Sequence, residues 1–262
     1  MAGMLTRSLL ILLLVSGEAY ANFTINMPSG VTDISHKVFQ LHMVVLWICV
    51  VIGVLVFGVM IYAIIFHRRS LGHKASNFHE NTKIEILWTV IPFIILIAMA
   101  VPATITILEM DDVADSDLTI KITGYMWRWH YEYVGTNVAF MSDLSTPYEQ
   151  IINRAEKDEH YLREVNNPLV LPINKKIRLL MTGNDVIHSW WVSELAVKKD
   201  AIPGFINETW TKINTVGTYR GQCAELCGAK HGFMPIVVKA VSEQDFAAWM
   251  QAQQQITVEP HQ

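Results

Sequence analysis

Four side chains that bind soft metals lie within twelve residues of the 262-residue chain. They are Cys223, Cys227, His231 and Met234. A mononuclear blue-copper site needs two histidines, one cysteine and a weak axial methionine. The extra cysteine therefore indicates two thiolates that bridge a pair of coppers. The segment contains one histidine, so a second must come from elsewhere, and His188 in N-D-V-I-H-S-W-W is the best candidate.

A disulfide between Cys223 and Cys227 is the simplest alternative, because paired cysteines are common in oxidising compartments. A disulfide needs neither His231 nor Met234, so it leaves half of the motif unexplained. Zinc fits less well than copper, since a thioether is a poor zinc ligand but suits copper. The segment therefore predicts a copper site.

The N-terminal residues 1–21 are typical of a secretory signal peptide. Arg7 supplies the positive start, residues 9–15 form a short apolar run, and Ala19-Tyr20-Ala21 matches the small-x-small cleavage pattern. The run is too short to cross a bilayer, which takes about 20 apolar residues. Cleavage would start the mature chain at Asn22, and an uncleaved anchor is the alternative.

Two later apolar stretches, about 39–66 and 84–108, are long enough to span a membrane. The loop between them carries four bases against Glu80, so the positive-inside rule places it in the cytoplasm; the bases are Arg68, Arg69, Lys74 and Lys83. Both termini then face outward. Residues 22–110 thus form an N-terminal segment and a transmembrane hairpin, and residues 111–262 form an exported domain.

The exported domain is predicted to be all-β. Alternating apolar residues at 118–123, 176–181 and 236–241 are bounded by turn residues, which favours a sandwich or a Greek-key barrel. Residues 242–245 (S-E-Q-D) resemble a capping box, so a short helix to about residue 253 should close the chain. From residue 109 onward 20 acids face 14 bases, a net charge of −6 that argues against nucleic acid and permits a basic protein partner.

Together these features resemble subunit II of haem-copper cytochrome c oxidase. The resemblance is carried by Y-R-G-Q-C-A-E-L-C-G-A-K-H-G-F-M-P at 219–235, D-V-I-H-S-W-W-V at 185–192, K-K-D-A-I-P-G at 198–204 and G-Y-M-W-R-W-H-Y-E-Y at 124–133. It implies a membrane-anchored all-β protein: a two-helix transmembrane hairpin followed by a cupredoxin-like Greek-key β-barrel that carries the dinuclear copper centre CuA. The protein would be multi-pass in a bacterial-type inner membrane, with both termini and the copper domain on the periplasmic side.

The resemblance also implies a role for each soft ligand. Cys223 and Cys227 would be the bridging thiolates, and His188 and His231 would each cap one copper. Met234 would be a weak axial ligand, opposed by the backbone carbonyl of Glu225. The Glu225 side chain resembles the family residue that reaches a magnesium ion at the interface with subunit I, and a local hydrogen bond within the loop is the alternative.

Trp127 matches the family's surface entry for electrons from cytochrome c. Its alternation with Trp129, Tyr131 and Tyr133 is also typical of the buried face of one strand. Two neighbours depart from the family, which commonly has Gln where this chain has Met126 and Tyr where it has Arg128. Arg128 bears on docking, because the partner is usually rich in lysine; Glu132 and Asp185 are nearby acids that could attract it.

Glu85 lies at the cytoplasmic edge of the second span, where it resembles the family's entrance to a proton channel into subunit I. A carboxylate so near the interface could instead reach the headgroup region as an anchor.

The implied function is that of a cytochrome c oxidase, a proton-translocating oxidoreductase in which this chain is the electron-entry subunit. It would take electrons from cytochrome c at CuA and pass them to subunit I, which, with other oxidase subunits, reduces oxygen to water. No C-x-x-C-H motif occurs, so the haems belong to the partner and the donor is a separate protein. A membrane-anchored copper chaperone for oxidase assembly is the rival, with C-x3-C and a distant His, normally on one anchor and a thioredoxin-like domain.

Overall fold

The computed structural model of the chain describes residues 26–74 and 79–258, and the side chains only as far as residue 255. The predicted signal peptide, residues 1–21, therefore lies outside the described residues. Two long helices come first, α1 (Asp33–Phe66) and α2 (Thr82–Asp111). Ten strands, a short helix α3 (Tyr148–Ile151) and a C-terminal helix α4 (Glu243–Val258) follow them.

Both long helices begin at side-chain caps. Thr32 Oγ1 accepts the Ser35 N–H at 2.9 Å and Ser35 Oγ accepts the Thr32 N–H at 2.9 Å, which is a reciprocal capping box. Asn81 accepts the Ile84 N–H at the start of α2. The helices run past the predicted spans at both outer ends, because 39–66 and 84–108 cover only the apolar stretches.

The two helices have the length and composition of membrane spans. Helix α1 has 34 residues, or about 51 Å at 1.5 Å per residue, against a hydrocarbon core of about 30 Å. Their apolar side chains point outward rather than into a protein core. Pro92 and Pro102 lie inside α2 without ending it, and the Thr106 hydroxyl donates to the Pro102 carbonyl at 3.0 Å.

The strands form two five-stranded sheets that share one core. One sheet has the order β3-β2-β1-β5-β8 and the other has the order β4-β10-β9-β6-β7. Buried Trp190 reaches across between them, donating from Nε1 to the Tyr131 hydroxyl at 3.3 Å. The bounds are β1 Leu118–Tyr125, β2 Arg128–Tyr133, β3 Ala139–Ser142, β4 Leu169–Pro172, β5 Ile177–Gly183, β6 His188–Val192, β7 Val197–Ala201, β8 Asn207–Thr211, β9 Gly217–Cys223 and β10 Pro235–Val241.

The predicted all-β domain and its closing helix are confirmed. The three alternating segments correspond to β1, β5 and β10. Ser242 Oγ accepts the Asp245 N–H at 3.1 Å, so this serine starts α4 as the capping pattern predicts. Helix α4 continues five residues beyond the predicted end and packs Phe246 and Trp249 against Tyr133.

The β domain is joined to the outer ends of the hairpin. The segment before α1 pairs with it, since the Val31 N–H donates to the Glu194 carbonyl and the Asn214 N–H donates to the Val31 carbonyl, both at 2.9 Å. At the end of α2, Trp210 Nε1 donates to the Glu109 carbonyl at 2.8 Å. The start of α1 and the end of α2 therefore lie on the side of the β domain, and the connection between the helices lies at the opposite end.

Candidate metal centre

The predicted ligand loop connects β9 to β10 at one end of the β domain. Cys223 is the last residue of β9, and its N–H donates to the Met234 carbonyl at 3.1 Å where β10 is about to begin. Between them, His231 opens a short 3-10 helix, His231–Phe233. The antiparallel pairing of β9 and β10 thus brings the two ends of the ligand loop together, with Cys223 beside Met234.

The distant histidine is delivered by the neighbouring strand. His188 is the first residue of β6, which pairs with β9 so that Trp190 lies opposite Cys223. The Ala224 N–H donates to the Ser189 carbonyl at 2.9 Å, which extends the contact into the loop. Strand pairing therefore places His188 beside a residue 35 positions away in sequence.

Each thiol has its own imidazole. The sulfurs of Cys223 and Cys227 are 3.8 Å apart, both thiols are free, and both side chains are 3% exposed. Cys223 Sγ lies 4.0 Å from Nδ1 of the fully buried His188. Cys227 Sγ lies 3.5 Å from His231 Nδ1. The arrangement has two sulfurs in the middle and one nitrogen beside each.

Two further predicted ligands lie in the same loop. The Glu225 carbonyl oxygen is 3.4 Å from Cys223 Sγ, whereas the Glu225 side chain is exposed to solvent. Met234 is 1% exposed and is hydrogen-bonded through its backbone to Cys223. The structure thus brings all six sequence-predicted ligand residues into one loop and its neighbouring strand.

The donor set fits a soft or borderline metal rather than a hard cation. Within residues 26–74 and 79–258, His188, Cys223 and Cys227 are the one group of three His, Cys or acidic residues whose ligand atoms all lie within 4.8 Å of one another. Sulfur and imidazole donors in a buried place select soft or borderline metals. This group of three contains no carboxylate oxygen of the kind that magnesium or calcium require.

The two thiols of the loop have different pKa values. Burial raises the pKa of the Cys223 thiol, but hydrogen bonds from His188 and from backbone groups outweigh burial and lower the pKa to about 7. For Cys227, burial and the neighbouring charge on Cys223 both raise the pKa. One thiol is therefore readily ionised near neutral pH while its partner holds a proton, and a bound metal would displace that proton.

A carboxylate orients His188. Burial lowers the pKa of His188, but hydrogen bonds with Cys223 and Asp185 outweigh burial and raise it. The His188 Nε2–Asp185 Oδ1 distance is 2.8 Å, so Nδ1 faces the thiols. For Asp185 burial acts in the opposite direction and raises the pKa, but hydrogen bonds with His188 and with backbone N–H groups outweigh burial and lower it. From the sequence alone Asp185 is expected to be a surface acid, and its bond to His188 depends on the folded loop.

Gly124 is a second residue whose part in the site is not apparent from the sequence. It lies in β1, facing His188, and a Cβ atom there would come within 2.7 Å of the imidazole Cδ2. A side chain at this position would therefore displace the histidine. Nothing in the local sequence distinguishes this glycine, since the contact depends on how β1 and β6 pack.

Trp127 lies outside the strand to which its alternation would assign it. Met126 and Trp127 form the turn between β1 and β2, whereas Trp129, Tyr131 and Tyr133 are fully buried along β2. The partly exposed Trp127 ring donates from Nε1 to the Cys227 carbonyl at 3.1 Å. The alternating pattern is thus a buried face for three aromatic residues, and the fourth contacts the ligand loop from the surface.

The charges around Trp127 are mixed. Arg128 pairs with Asp143, with Nε and Oδ1 3.2 Å apart, and Lys230 Nζ lies 5.7 Å from the centre of the Trp127 ring. Glu132, named as a docking acid, pairs with Lys121 at 3.3 Å.

Glu85 is far from this site, in the first turn of α2. Its carboxylate accepts the Asn81 N–H at 3.3 Å, so the side chain also closes the start of the helix. The structure does not bring Glu85 together with the other predicted residues.

Comparison with known proteins identifies relatives of both parts of the chain. Two family models match it: cytochrome c oxidase subunit II, transmembrane domain, over residues 20–105, and cytochrome c oxidase subunit II, periplasmic domain, over residues 118–241. The probable cytochrome c oxidase subunit 2 of Rickettsia bellii is 38% identical over 225 residues, covering 86% of this chain and 82% of that protein. The cytochrome c oxidase subunit 2 of Cereibacter sphaeroides is 32% identical over 237 residues, covering 86% of this chain and 78% of that protein.

A solved structure matches the β domain. The periplasmic domain of cytochrome oxidase subunit II from Bradyrhizobium japonicum is 39% identical, with a TM-score of 0.50, and the match covers 56% of this chain and 99% of that one. The fold and the site therefore define a membrane-anchored cupredoxin-like protein. The chain belongs to the cytochrome c oxidase subunit II family, which implies copper binding. Two membrane-spanning helices and bacterial relatives support a location in the inner membrane.

The lowered pKa of Cys223 can be tested in the metal-free, reduced chain. Thiolate ultraviolet absorbance should rise by one equivalent with a midpoint near pH 7, because hydrogen bonds favour the ionised form, whereas an ordinary thiol titrates near 9.0. Cys223→Ser should abolish this step and His188→Ala should move it upward, while Cys49→Ser, a control outside the ligand loop, should preserve it. A first step near pH 9 in the unaltered chain would contradict the assignment.

Proposed function

We propose that this chain is the electron-entry subunit of a cytochrome c oxidase. It accepts electrons from cytochrome c at a dinuclear copper centre and passes them to subunit I, where oxygen is reduced to water and protons are pumped. The observation that carries this proposal is the buried pair of free thiols, 3.8 Å apart, with an imidazole beside each. Membership of the subunit II family supports the same assignment.

In the proposed centre, Cys223 and Cys227 would hold both metal ions, and His188 and His231 would each bind one of them. Met234 and the Glu225 carbonyl complete the site as weak ligands. When bound, the copper pair supplies a carrier that takes and releases one electron at a time. The protein holds its donors on paired strands and excludes water from the sulfurs, which limits their rearrangement.

We also propose that the termini and the β domain face the periplasm. The connection between α1 and α2 carries Arg68, Arg69 and Lys74, and Lys83 follows in the first turn of α2. These four bases lie at the end of the hairpin away from the β domain, which supports a cytoplasmic position for that end. Catalytic haems belong to subunit I, since this chain provides no covalent haem motif.

The copper-chaperone alternative is not retained. A chaperone of that kind would normally carry a thioredoxin-like α/β domain on one anchor, whereas the described residues of this chain form two five-stranded sheets and two long apolar helices. A chaperone site made of C-x3-C and a distant histidine would also leave Met234 without a role.

The copper assignment is tested by electron paramagnetic resonance of the oxidised full-length chain in detergent with copper added. A mixed-valence signal shared over two coppers is expected. Cys223→Ser or Cys227→Ser should abolish it, because a hydroxyl does not bridge two coppers as a thiolate does. Met234→Leu should retain both coppers and shift the spectrum, since it removes a weak ligand.

Cys49→Ser, at an exposed position in α1, is the matched control and should leave the signal unchanged. An ordinary mononuclear signal in the unaltered chain, or equal copper content and spectra in the loop variants, would overturn the assignment.

Trp127 is proposed as the point where electrons enter, because its ring is partly exposed and bonds the Cys227 carbonyl. Trp127→Phe should slow the oxidation of reduced cytochrome c in stopped flow by roughly tenfold, or about 1.4 kcal/mol in activation free energy. Copper content and cytochrome c binding should stay near those of the unaltered chain. Trp191→Phe, at another exposed tryptophan, is the control. Equal rates in both variants would leave Trp127 as a packing residue.

Glu85 is proposed to collect protons for a pathway in subunit I. It lies 24 residues from Glu109, which is about 36 Å along the helix. Glu85→Ala should therefore leave electron transfer into copper unchanged but lower steady-state oxygen reduction several-fold in the assembled complex. Glu85→Gln retains the contact that caps α2 but cannot carry a proton, so it should be equally slow.

Glu80→Ala, in the preceding loop, is the control for a general loss of charge. Normal turnover in Glu85→Gln, with assembly verified by haem content, would show that Glu85 serves only as a helix cap.

The Glu225 side chain is proposed to bind magnesium at the interface with subunit I. Its exposure supports this, since its backbone faces Cys223 while the carboxylate faces outward. Magnesium takes six oxygen ligands, so subunit I and water must supply the others. Glu225→Gln should lower the magnesium content of the purified complex while the copper signal persists; unchanged magnesium would contradict the proposal.

A further inference from the structure

A groove lies between α1 and α2 at the outer end of the hairpin, next to the β domain. Its volume is about 370 Å³, within the size range of small-molecule pockets. The lining comes from four residues of each helix, which are Lys37, Gln40, Leu41 and Val44 in α1 and Pro102, Ile105, Thr106 and Glu109 in α2. Each set has the spacing i, i+3, i+4, i+7, so each forms one continuous stripe along a helix face.

Both stripes change from polar to apolar along the helix axis. Lys37 and Glu109 lie at the outer end, where Lys37 Nζ and Glu109 Oε2 are 2.5 Å apart. Further in, the apolar side chains of Val44 and Ile105 are each 54% exposed. The buried Thr106 hydroxyl donates to a carbonyl of its own helix at 3.0 Å, so its proton is already used. The groove therefore has a charged mouth and apolar walls.

The depth of the groove in the membrane indicates what fills it. The apolar stretches begin at residue 39 of α1 and end at residue 108 of α2, so the ion pair lies within two residues of the hydrocarbon boundary. From there the groove extends over seven residues of each helix, or about 10 Å, into a leaflet whose hydrocarbon is about 15 Å thick. A ligand with a charged head above an apolar chain matches this position, and the surrounding bilayer consists of such molecules.

We propose that this groove binds a phospholipid of the leaflet on the side of the β domain, and that its headgroup carries a primary ammonium, as in phosphatidylethanolamine. Lys37 meets the phosphate and Glu109 accepts hydrogen bonds from the ammonium. A headgroup with both charges matches this pair of residues better than a purely anionic one, which Glu109 repels. The apolar walls hold the upper part of one acyl chain.

The proposed lipid site adjoins the junction between the hairpin and the β domain. The Glu109 carbonyl accepts from Trp210 Nε1 at 2.8 Å, and Lys176 Nζ lies 4.8 Å from the centre of the Trp210 ring. A lipid that contacts Lys37 in α1 and Glu109 in α2 links the outer ends of both helices beside this junction. The inference needs neither copper nor electron transfer, so it stands or fails separately from the proposed function.

The test is native mass spectrometry of the full-length chain in mild detergent. Phosphatidylethanolamine, phosphatidylcholine and phosphatidylglycerol with the same acyl chains are added in turn. One phosphatidylethanolamine should be retained, with roughly fivefold higher affinity than the other two, as expected for a half-exposed charge pair. Choline has no N–H to donate to Glu109, and glycerol has no positive charge.

Four variants separate the headgroup contacts from the acyl groove. Glu109→Gln should remove most of the preference for ethanolamine, and Lys37→Gln should weaken the retention of all three lipids. Val44→Phe keeps both charges but fills the apolar part, so it should lower retention without changing the preference, and it serves as the test if Lys37→Gln disturbs the hairpin. Lys83→Gln, at the inner end of α2, is the matched charge control and should retain lipid as the unaltered chain does.

Equal retention of the three lipids by the unaltered chain, or an unchanged preference in Glu109→Gln, would overturn the proposal. Loss of the lipid when the chain assembles with the other oxidase subunits would also overturn it, because a transmembrane helix of a partner would then cover the groove. Retention of one phosphatidylethanolamine by the assembled complex, and its loss in Val44→Phe, is the expected result.

Discussion

The pairing of β6 with β9 is the constraint on which the candidate centre depends. It sets Trp190 opposite Cys223, and this register brings His188 to the thiol. A slip of one residue would turn every side chain of the strand to the other face, so His188 would leave the site. The pairing is held by the shared core, in which Trp190 is fully buried and bonded to Tyr131. The packing of the core and the position of His188 beside Cys223 therefore depend on the same strand pairing.

Electrostatics explains why the site suits a metal. Two thiolates 3.8 Å apart in a buried loop repel each other, and the protein relieves this by ionising one thiol and leaving the other protonated. A soft cation that takes the place of the proton is bound by both sulfurs. The imidazoles are already beside them, with His188 oriented by Asp185 and His231 held at the start of a 3-10 helix.

The membrane hairpin and the β domain form a connected unit. Contacts from Val31 and Glu109 join the outer ends of both helices to the sheets. This attachment keeps the β domain at one end of the hairpin, and the turn at Trp127 remains partly exposed. Glu85 is at the other end of α2, in its first turn.

Local patterns were enough to predict much of this molecule. Long apolar runs determine the two spans, alternation determines strands such as β1, β5 and β10, and Ser242 starts α4, because each depends on residues close in sequence. The spacing from Cys223 to Met234 likewise identified a soft-metal loop. The order of strands in the sheets was decided by tertiary packing. Tertiary packing also excluded Trp127 from the buried aromatic face, formed the bond between Asp185 and His188, and brought Gly124 close to His188. These features join residues from different strands, and their energies depend on distances that no local sequence period encodes.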